Sequence, residues 1–279
     1  MIDVKNLTKK YGKLIANNDI TLSVNPGELT VLLGPNGAGK STLIKCICGL
    51  LRFEGSITVN GYENRSIEAK RILGYIPEFP ALYPMLTVWE HLEFIARAYE
   101  LDAAWESFAH DLLARFELED KQNKLGKELS KGMQQKVSIC CAVLTRPQAV
   151  IFDEPLVGLD PHAIRELKKL IAEMKQSGCA MIISTHMIES VEENWDTTCI
   201  MTQGTIARAC RREELNSGGL EDLYFSITEG SAATGNEAKG SERKHGKSAG
   251  SAQEETTSAS SETTGDGVES KSAGSEAEK

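Results

Sequence analysis

The sequence lacks any long apolar run. Nowhere in its 279 residues is there a continuous apolar stretch near the ~18–20 residues that a membrane-spanning helix needs. Met1-Ile2-Asp3-Val4-Lys5 begins a strand rather than a signal peptide, which predicts a cytoplasmic protein. Excess positive charge is also missing. A formal net charge of -9 leaves no bulk field to hold the chain on nucleic acid or an anionic membrane, so no nucleic-acid partner is expected. Paired metal spacing is absent among the cysteines. They number seven, and Cys46, Cys48, Cys140 and Cys141 fall in predicted helices, where they read as small buried hydrophobes. Finally, the stretch 226–279 has no aromatic residue and only Ile227 and Val268 as large aliphatics. It cannot bury enough apolar surface to offset its ordering entropy, so it reads as a low-complexity, disordered tail, with 1–225 as the folded domain.

What is present centres on Gly34-Pro35-Asn36-Gly37-Ala38-Gly39-Lys40-Ser41-Thr42. An apolar strand, Leu29 to Leu33, precedes it, and a helical pattern from Leu43 to Ile47 follows. In that order the stretch is a phosphate cradle. Its glycines let successive N–H groups turn inward, the helix N-terminus adds partial positive charge, Lys40 reaches the β and γ phosphates, and Ser41 can hold Mg²⁺.

Before the cradle, β-like runs at Ile2 to Leu7 and Ile20 to Val24 alternate with turn residues at Tyr11-Gly12-Lys13 and Asn17-Asn18-Asp19. Tyr11 is either a core aromatic or a platform for an adenine ring; composition does not separate the two. After the cradle, Ser56 to Asn60 and Ile72 to Ile76 read as strands. From 79 to 146 the pattern turns helical. Thr87-Val88-Trp89-Glu90 is a capping box that opens a helix from about Val88 to Tyr99, Ala103 to Phe116 forms a second helix, and Ser130 caps a third that runs to Leu144. Phe79, Leu82, Tyr83, Met85, Leu86 and Trp89 make an apolar cluster there, expected mostly in a packed core.

Strands and helices then alternate again. Ala149 to Phe152 is a buried strand that ends in Asp153-Glu154-Pro155. Asp160 and Pro161 start a helix to Met174, Ala180 to Ser184 is the next strand, and it ends at Thr185-His186. A small β pair around Gly204 and a short helix after Arg212 complete the domain. This alternation predicts a mostly parallel sheet, with ligands at the carboxyl ends of its strands. Gly34, Asp153 and His186 all lie just past such ends. Adjacent carboxylates on a strand point in opposite directions, so one of Asp153 and Glu154 can face Mg²⁺ while the other meets an attacking water. His186 can donate to the γ phosphate.

Together these residues resemble the ATP-binding subunits of ABC transporters, over nearly all of Ile2 to Phe225. The cradle matches the Walker A pattern and Val150 to Pro155 looks like Walker B. Leu129-Ser130-Lys131-Gly132-Met133-Gln134-Gln135 looks like the family's signature loop, Gly158-Leu159-Asp160-Pro161 like its D-loop, and Ser184-Thr185-His186 like its switch histidine. The resemblance implies an α/β P-loop NTPase core, an antiparallel β subdomain and a helical signature-loop subdomain. It implies ATP and Mg²⁺ as ligands, with Tyr11 stacked on adenine, Asp153 ordering Mg²⁺ and Glu154 polarising the hydrolytic water. Ser130, Gly132 and Asp160 would serve ATP bound by a second ATPase subunit, in a homodimer or heterodimer.

Two positions depart from the family pattern. Lys131 and Met133 stand where glycine and glutamine are usual. Glu78 stands where the family normally has a glutamine that touches Mg²⁺ and the water beside the membrane partner. A carboxylate can still accept from Mg²⁺, but at ~6 Å and an effective dielectric of ~20 its charge faces another carboxylate at a cost of about 3 kcal/mol before Mg²⁺ and Lys40 offset it. The implied function is ATP hydrolysis that powers a separate integral membrane permease, in the manner of bacterial exporter subunits, with the chain peripheral on the inner face of the membrane. The competing class is a soluble ABC ATPase acting in translation or DNA repair. A second cradle or a heptad run would favour it, and the sequence has neither.

Overall fold

Strand alternation builds the first sheet. β1 (Ile2–Tyr11) and β2 (Leu14–Val24) pair antiparallel across a turn at Gly12-Lys13. The computed structural model describes residues 1–188, 195–215 and 219–228. These fall within one unit, Met1–Ala238. The low-complexity segment expected from 226 lies outside the described residues from 229 onward.

The expected turn at Asn17-Asn18-Asp19 is instead part of β2. Register shifts between β1 and β2 absorb these polar residues, with Asn6 and Asp19 both at a left-handed φ of 51°. The two side chains bond across the irregularity, Asn6 Nδ2 donating to Asp19 Oδ1 at 2.9 Å. Bulged strands tolerate such residues, whereas a sequence pattern reads them as a turn.

β3 (Leu29–Leu33) is buried throughout, and the cradle leads from it into α1 (Lys40–Ile47). β4 (Glu54–Val59) and the short β5 (Tyr62–Glu63) complete an antiparallel sheet in the order β2-β1-β4-β5. Ser66 then caps α2 (Ile67–Ile72), its hydroxyl accepting from the Ala69 N–H at 3.1 Å. Ile72, expected in a strand, therefore ends a helix, and β6 spans Leu73–Ile76. The cap outweighs the β-branched residue beside Leu73, a local competition that apolar runs alone do not resolve.

The helical segment follows as α3 (Val88–Ala98), α4 (Trp105–Arg115) and α5 (Lys131–Leu144). Both halves of the Thr87–Glu90 capping box form, and Ser130 caps α5 through the Met133 N–H. Trp89 lies 5.3 Å from Trp105 and 4.6 Å from His110, ring centroid to centroid, and ties α3 to α4. β7 (Ala149–Asp153), α6 (Pro161–Gln176), β8 (Ala180–Thr185), β9 (Thr197–Thr202) and β10 (Thr205–Arg211) close the second sheet, in the order β10-β9-β3-β8-β7-β6. All its pairs are parallel except β9 with β10. A single 3₁₀ turn, Arg212–Glu214, follows, and α7 covers 219–228.

Residue parity divides the core between the two faces of this sheet. Val150 and Phe152 join Leu92, Leu112, Phe116 and Val137 of the helices and Leu167 of α6. Ala149 and Ile151 join Ile2, Leu7 and Ile20 of the first sheet and Ile44 of α1. A side-chain period of two forces this split, and each fully buried Phe or Ile contributes about 1.5–3 kcal/mol. The functional strand ends therefore sit between two packed layers. Cysteines fill gaps within them: burial pushes Cys46 up to about 11 and Cys199 up to about 12, so both thiols stay protonated.

The 79–86 loop does not pack as expected. Phe79 is 73% exposed, Met85 65% and Tyr83 55%. Leu82 and Trp89 pack against the core as expected, and hydrogen bonds of the main chain hold the rest of this loop. The Tyr83 N–H donates to His91 Nε2 at 2.9 Å, Gly126 N–H to the Leu86 carbonyl at 2.8 Å, and Lys127 N–H to the Pro84 carbonyl at 3.1 Å. His91 is buried, and its Nδ1 lies 2.7 Å from the Thr87 carbonyl, so its two nitrogens clasp loop and helix together. His91→Leu removes both bonds at once. Chemical denaturation should show a loss of about 1–3 kcal/mol for this variant.

Candidate active site

Gly39 holds φ at 101° immediately before α1, a conformation that only glycine adopts readily. The turn points the first N–H groups of α1 into a cleft of about 640 Å³. Asn36 to Thr42, Tyr11, Glu78, Glu154 and His186 line it, together with Leu14, Ile15, Ala16, Gln203 and Gly204. Residues expected to act together from five separate segments thus meet in one concavity. Tyr11 is 47% exposed, on the cleft wall rather than in the core. Gly34 and Pro35 support the cleft from behind: the Lys40 ammonium donates to their carbonyls at 2.6 and 3.3 Å.

The buried Lys40 also lies 3.9 Å from Glu154 Oε1. Burial draws its pKa down, while the carboxylates of Glu154, Asp153 and Glu78 pull it back up. Asp153 closes β7, and its Oδ1 accepts from Ser184 Oγ at 2.6 Å and from Ser41 Oγ at 3.2 Å. Glu154 is aimed differently from the expectation of strand alternation. It lies beyond the strand with φ at 48°, and its N–H donates to the Ser184 carbonyl and hydroxyl. A left-handed non-glycine residue stores strain of about 1–3 kcal/mol, typically where a site needs it. Its Oε1 meets His186 Nδ1 at 2.9 Å, on the assignment that Nδ1 carries the proton.

Among the described residues no cluster of three or more His, Cys, Asp and Glu could hold a metal by itself. The donors here suit Mg²⁺ nonetheless. Ser41, Asp153 and Glu78 supply hard oxygens, and Mg²⁺ takes one or two protein ligands and completes its shell with phosphate and water.

Ser130, Gly132 and Asp160 do not line the cleft of their own chain. They form a second, separate surface. A Cβ on Gly132 would lie 2.5 Å from the Gly158 carbonyl, so glycine is required for the signature turn to touch the 158–160 loop. Lys136 binds Asp160 at 2.7 Å and holds its carboxyl below the usual range, with the Ala163 N–H assisting.

Sequence reading missed Ser184 as the group that orients Asp153, and it missed the cleft walls at Ala16 and Gly204. Ser184 carried a signal, since a hydroxyl at the end of an apolar strand needs a partner. The walls carried none, because they arise from packing of β2 and the β9–β10 turn against the cradle.

Comparison with known proteins agrees with this geometry. Residues 17–157 match the ABC transporter family model. The chain is 36% identical over 238 residues to the ABC-type transporter ATP-binding protein EcsA of Bacillus subtilis, covering 82% of this chain and 96% of that one. It is 33% identical over 225 residues to the lantibiotic transport ATP-binding protein SrtF of Streptococcus pyogenes, covering 80% and 96%. A solved ATP-binding subunit of an ABC transporter superposes with a TM-score of 0.78 at 38% identity, covering 82% of this chain and 99% of that one. A dimeric post-hydrolysis ATP-binding cassette with ADP and Pi superposes at 0.67 and 27% identity, covering 76% and 98%. A phosphate cradle facing a paired carboxylate and histidine, with a signature surface that does not line it, places this chain in the ABC transporter family as an ATP-binding, ATP-hydrolysing subunit.

Proposed function

We propose that this chain hydrolyses ATP to drive an exporter permease encoded by another chain, using sites completed by a second ATPase subunit. The contact between Glu154 and His186 beside the cradle carries the hydrolytic part of this reading. Glu154 accepts a proton from the attacking water, and His186 holds that carboxylate while its other nitrogen serves the γ phosphate. Lys40 and the N–H groups of Gly37 to Thr42 bind the β and γ phosphates. Tyr11 stacks on the adenine. Ser41, Asp153 and Glu78 hold Mg²⁺, which neutralises phosphate charge when bound. Ser130, Gly132 and Asp160 act on ATP in the opposite subunit, a role supported by their absence from the lining of their own cleft.

Transport is supported by the relative named for lantibiotic transport, and export by the SkfA peptide export ATP-binding protein SkfE of Bacillus subtilis, 34% identical over 208 residues. Permease docking is supported by Phe79, Tyr83 and Met85, exposed beside Glu78 on a loop fixed through its backbone. No helix among the described residues is long and apolar enough to cross a membrane. The double variant Phe79→Ser, Met85→Ser tests this assignment. Exposed substitutions change stability by about 0.5 kcal/mol or less, so ATP binding should persist. Co-purification with detergent-solubilised membranes should fall roughly thirty-fold, equivalent to about 2 kcal/mol. Association of the native chain with ribosomes or DNA in place of a membrane protein would overturn the reading.

A further inference from the structure

Consecutive side chains near the start of α5 reach three different segments. Gln134 Nε2 donates to the carbonyls of Gly126 and Leu129 at 3.3 and 3.2 Å. Gln135 Nε2 donates to the Pro77 carbonyl at 3.4 Å, and Lys136 binds Asp160 at 2.7 Å. Successive helical residues point about 100° apart, so one short stretch can hold all three.

Gln135 is unusual among them. It is only 2% exposed, and its Oε1 has no hydrogen-bond partner among the described residues. A buried amide is normally satisfied at both ends, so a half-satisfied one calls for an explanation. The direction of the amide is not free to reverse, because turning it would set Oε1 against the Pro77 carbonyl. Pro77 immediately precedes Glu78, whose side chain lines the nucleotide cleft. Ser130 and Gly132 lie on the same helix start, one turn before Gln135. The long bond and the spare acceptor leave this junction room to tighten or to take another partner.

We propose that Gln135 is a positioning residue for Glu78, holding it through the Pro77 carbonyl so that movement of the Ser130–Gly132 segment is passed to the nucleotide site. This rests on the reading of Glu78 as a contributor to the Mg²⁺ site.

The test uses the full chain with ATP while Mg²⁺ is titrated, reading the Mg²⁺ concentration that gives half of the ATP-induced rise in melting temperature. Native protein, Gln135→Met, Glu78→Ala and the double variant are compared. Hydrogen exchange over 76–80 is followed in each. Gln135→Met should raise the Mg²⁺ requirement roughly ten-fold, as loss of a supporting contact does, and should speed exchange at 76–80 but not in α4. In the Glu78→Ala background it should add nothing to the Mg²⁺ requirement. If Glu78→Ala raises the requirement and Gln135→Met does not, the role of Gln135 is overturned and that of Glu78 stands. If Glu78→Ala itself changes nothing, the reading of Glu78 falls and takes the proposal with it. Should Gln135→Met fail to fold, Gln135→Glu keeps the shape, presents an acceptor to the Pro77 carbonyl, and is read by the same outcomes.

Discussion

Glu154→Gln should lower ATP turnover by about 10²- to 10⁴-fold while ATP still binds, the loss typical of removing a general base. The substitution keeps the shape of a side chain whose Oε1 meets His186 at 2.9 Å and lies 3.9 Å from Lys40. An amide at this point cannot take a proton from water, so chemistry stops without disturbing the cradle. The His186 ring nitrogen can still donate to the amide oxygen, so the side chain keeps its place and binding should hold. Single-turnover hydrolysis and equilibrium ATP binding, measured on the complex with its partners, separate the two effects. Turnover within a factor of ten of native would assign the base elsewhere. A pure nucleotide-binding regulator would show no turnover to lose.

Gly39→Ala should destabilise the protein by about 3 kcal/mol, lowering the melting temperature by on the order of 10 °C. Two independent costs add. A side chain is disfavoured at φ 101°, and its Cβ would lie 2.6 Å from both the Ala16 carbonyl and Asn17 Nδ2. Asn17 is fully buried and donates to the Gly39 carbonyl at 3.1 Å, so the obstructing wall cannot move cheaply. ATP affinity should fall at least about ten-fold, because the N–H groups that follow Gly39 lose their common direction. Gly37→Ala is the control for stability. Gly37 has φ at 83° but open space around its Cβ position, so it should cost only about 1 kcal/mol. Equal losses in the two variants would show that backbone conformation alone, and not the packing of β2 against the cradle, sets the requirement.

Much of the site was legible because its parts are local. A glycine-rich turn between strand and helix, two carboxylates at a strand end and a histidine after the next strand each announce themselves within a few residues. The helices were legible for the same reason, since the Thr87, Ser130 and Asp160 caps all form at the expected positions. Ile72 was misread for a local reason, the Ser66 cap that draws it into α2, but the other misreadings are non-local. Asn17-Asn18-Asp19 has turn composition, yet pairing with β1 and burial of Asn17 against the cradle keep it in a strand. Phe79, Tyr83 and Met85 have core composition, yet backbone bonds to α3 and to 126–127 hold them at the surface.

Sequence alone determined the class of fold, the phosphate cradle and the identity of the groups able to do chemistry, because spacing along a strand or helix fixes residue type and order. Tertiary structure decided how those groups face one another. It turned Glu154 into a left-handed conformation against His186, set Ser184 on Asp153, and walled the cleft with Ala16 and Gly204. It also left Ser130, Gly132 and Asp160 out of the lining of their own cleft and drew Gly132 against the 158–160 loop. These relations depend on contacts between segments far apart in the chain, whose energies come from packing two sheets and a helical layer together, and no local pattern encodes them.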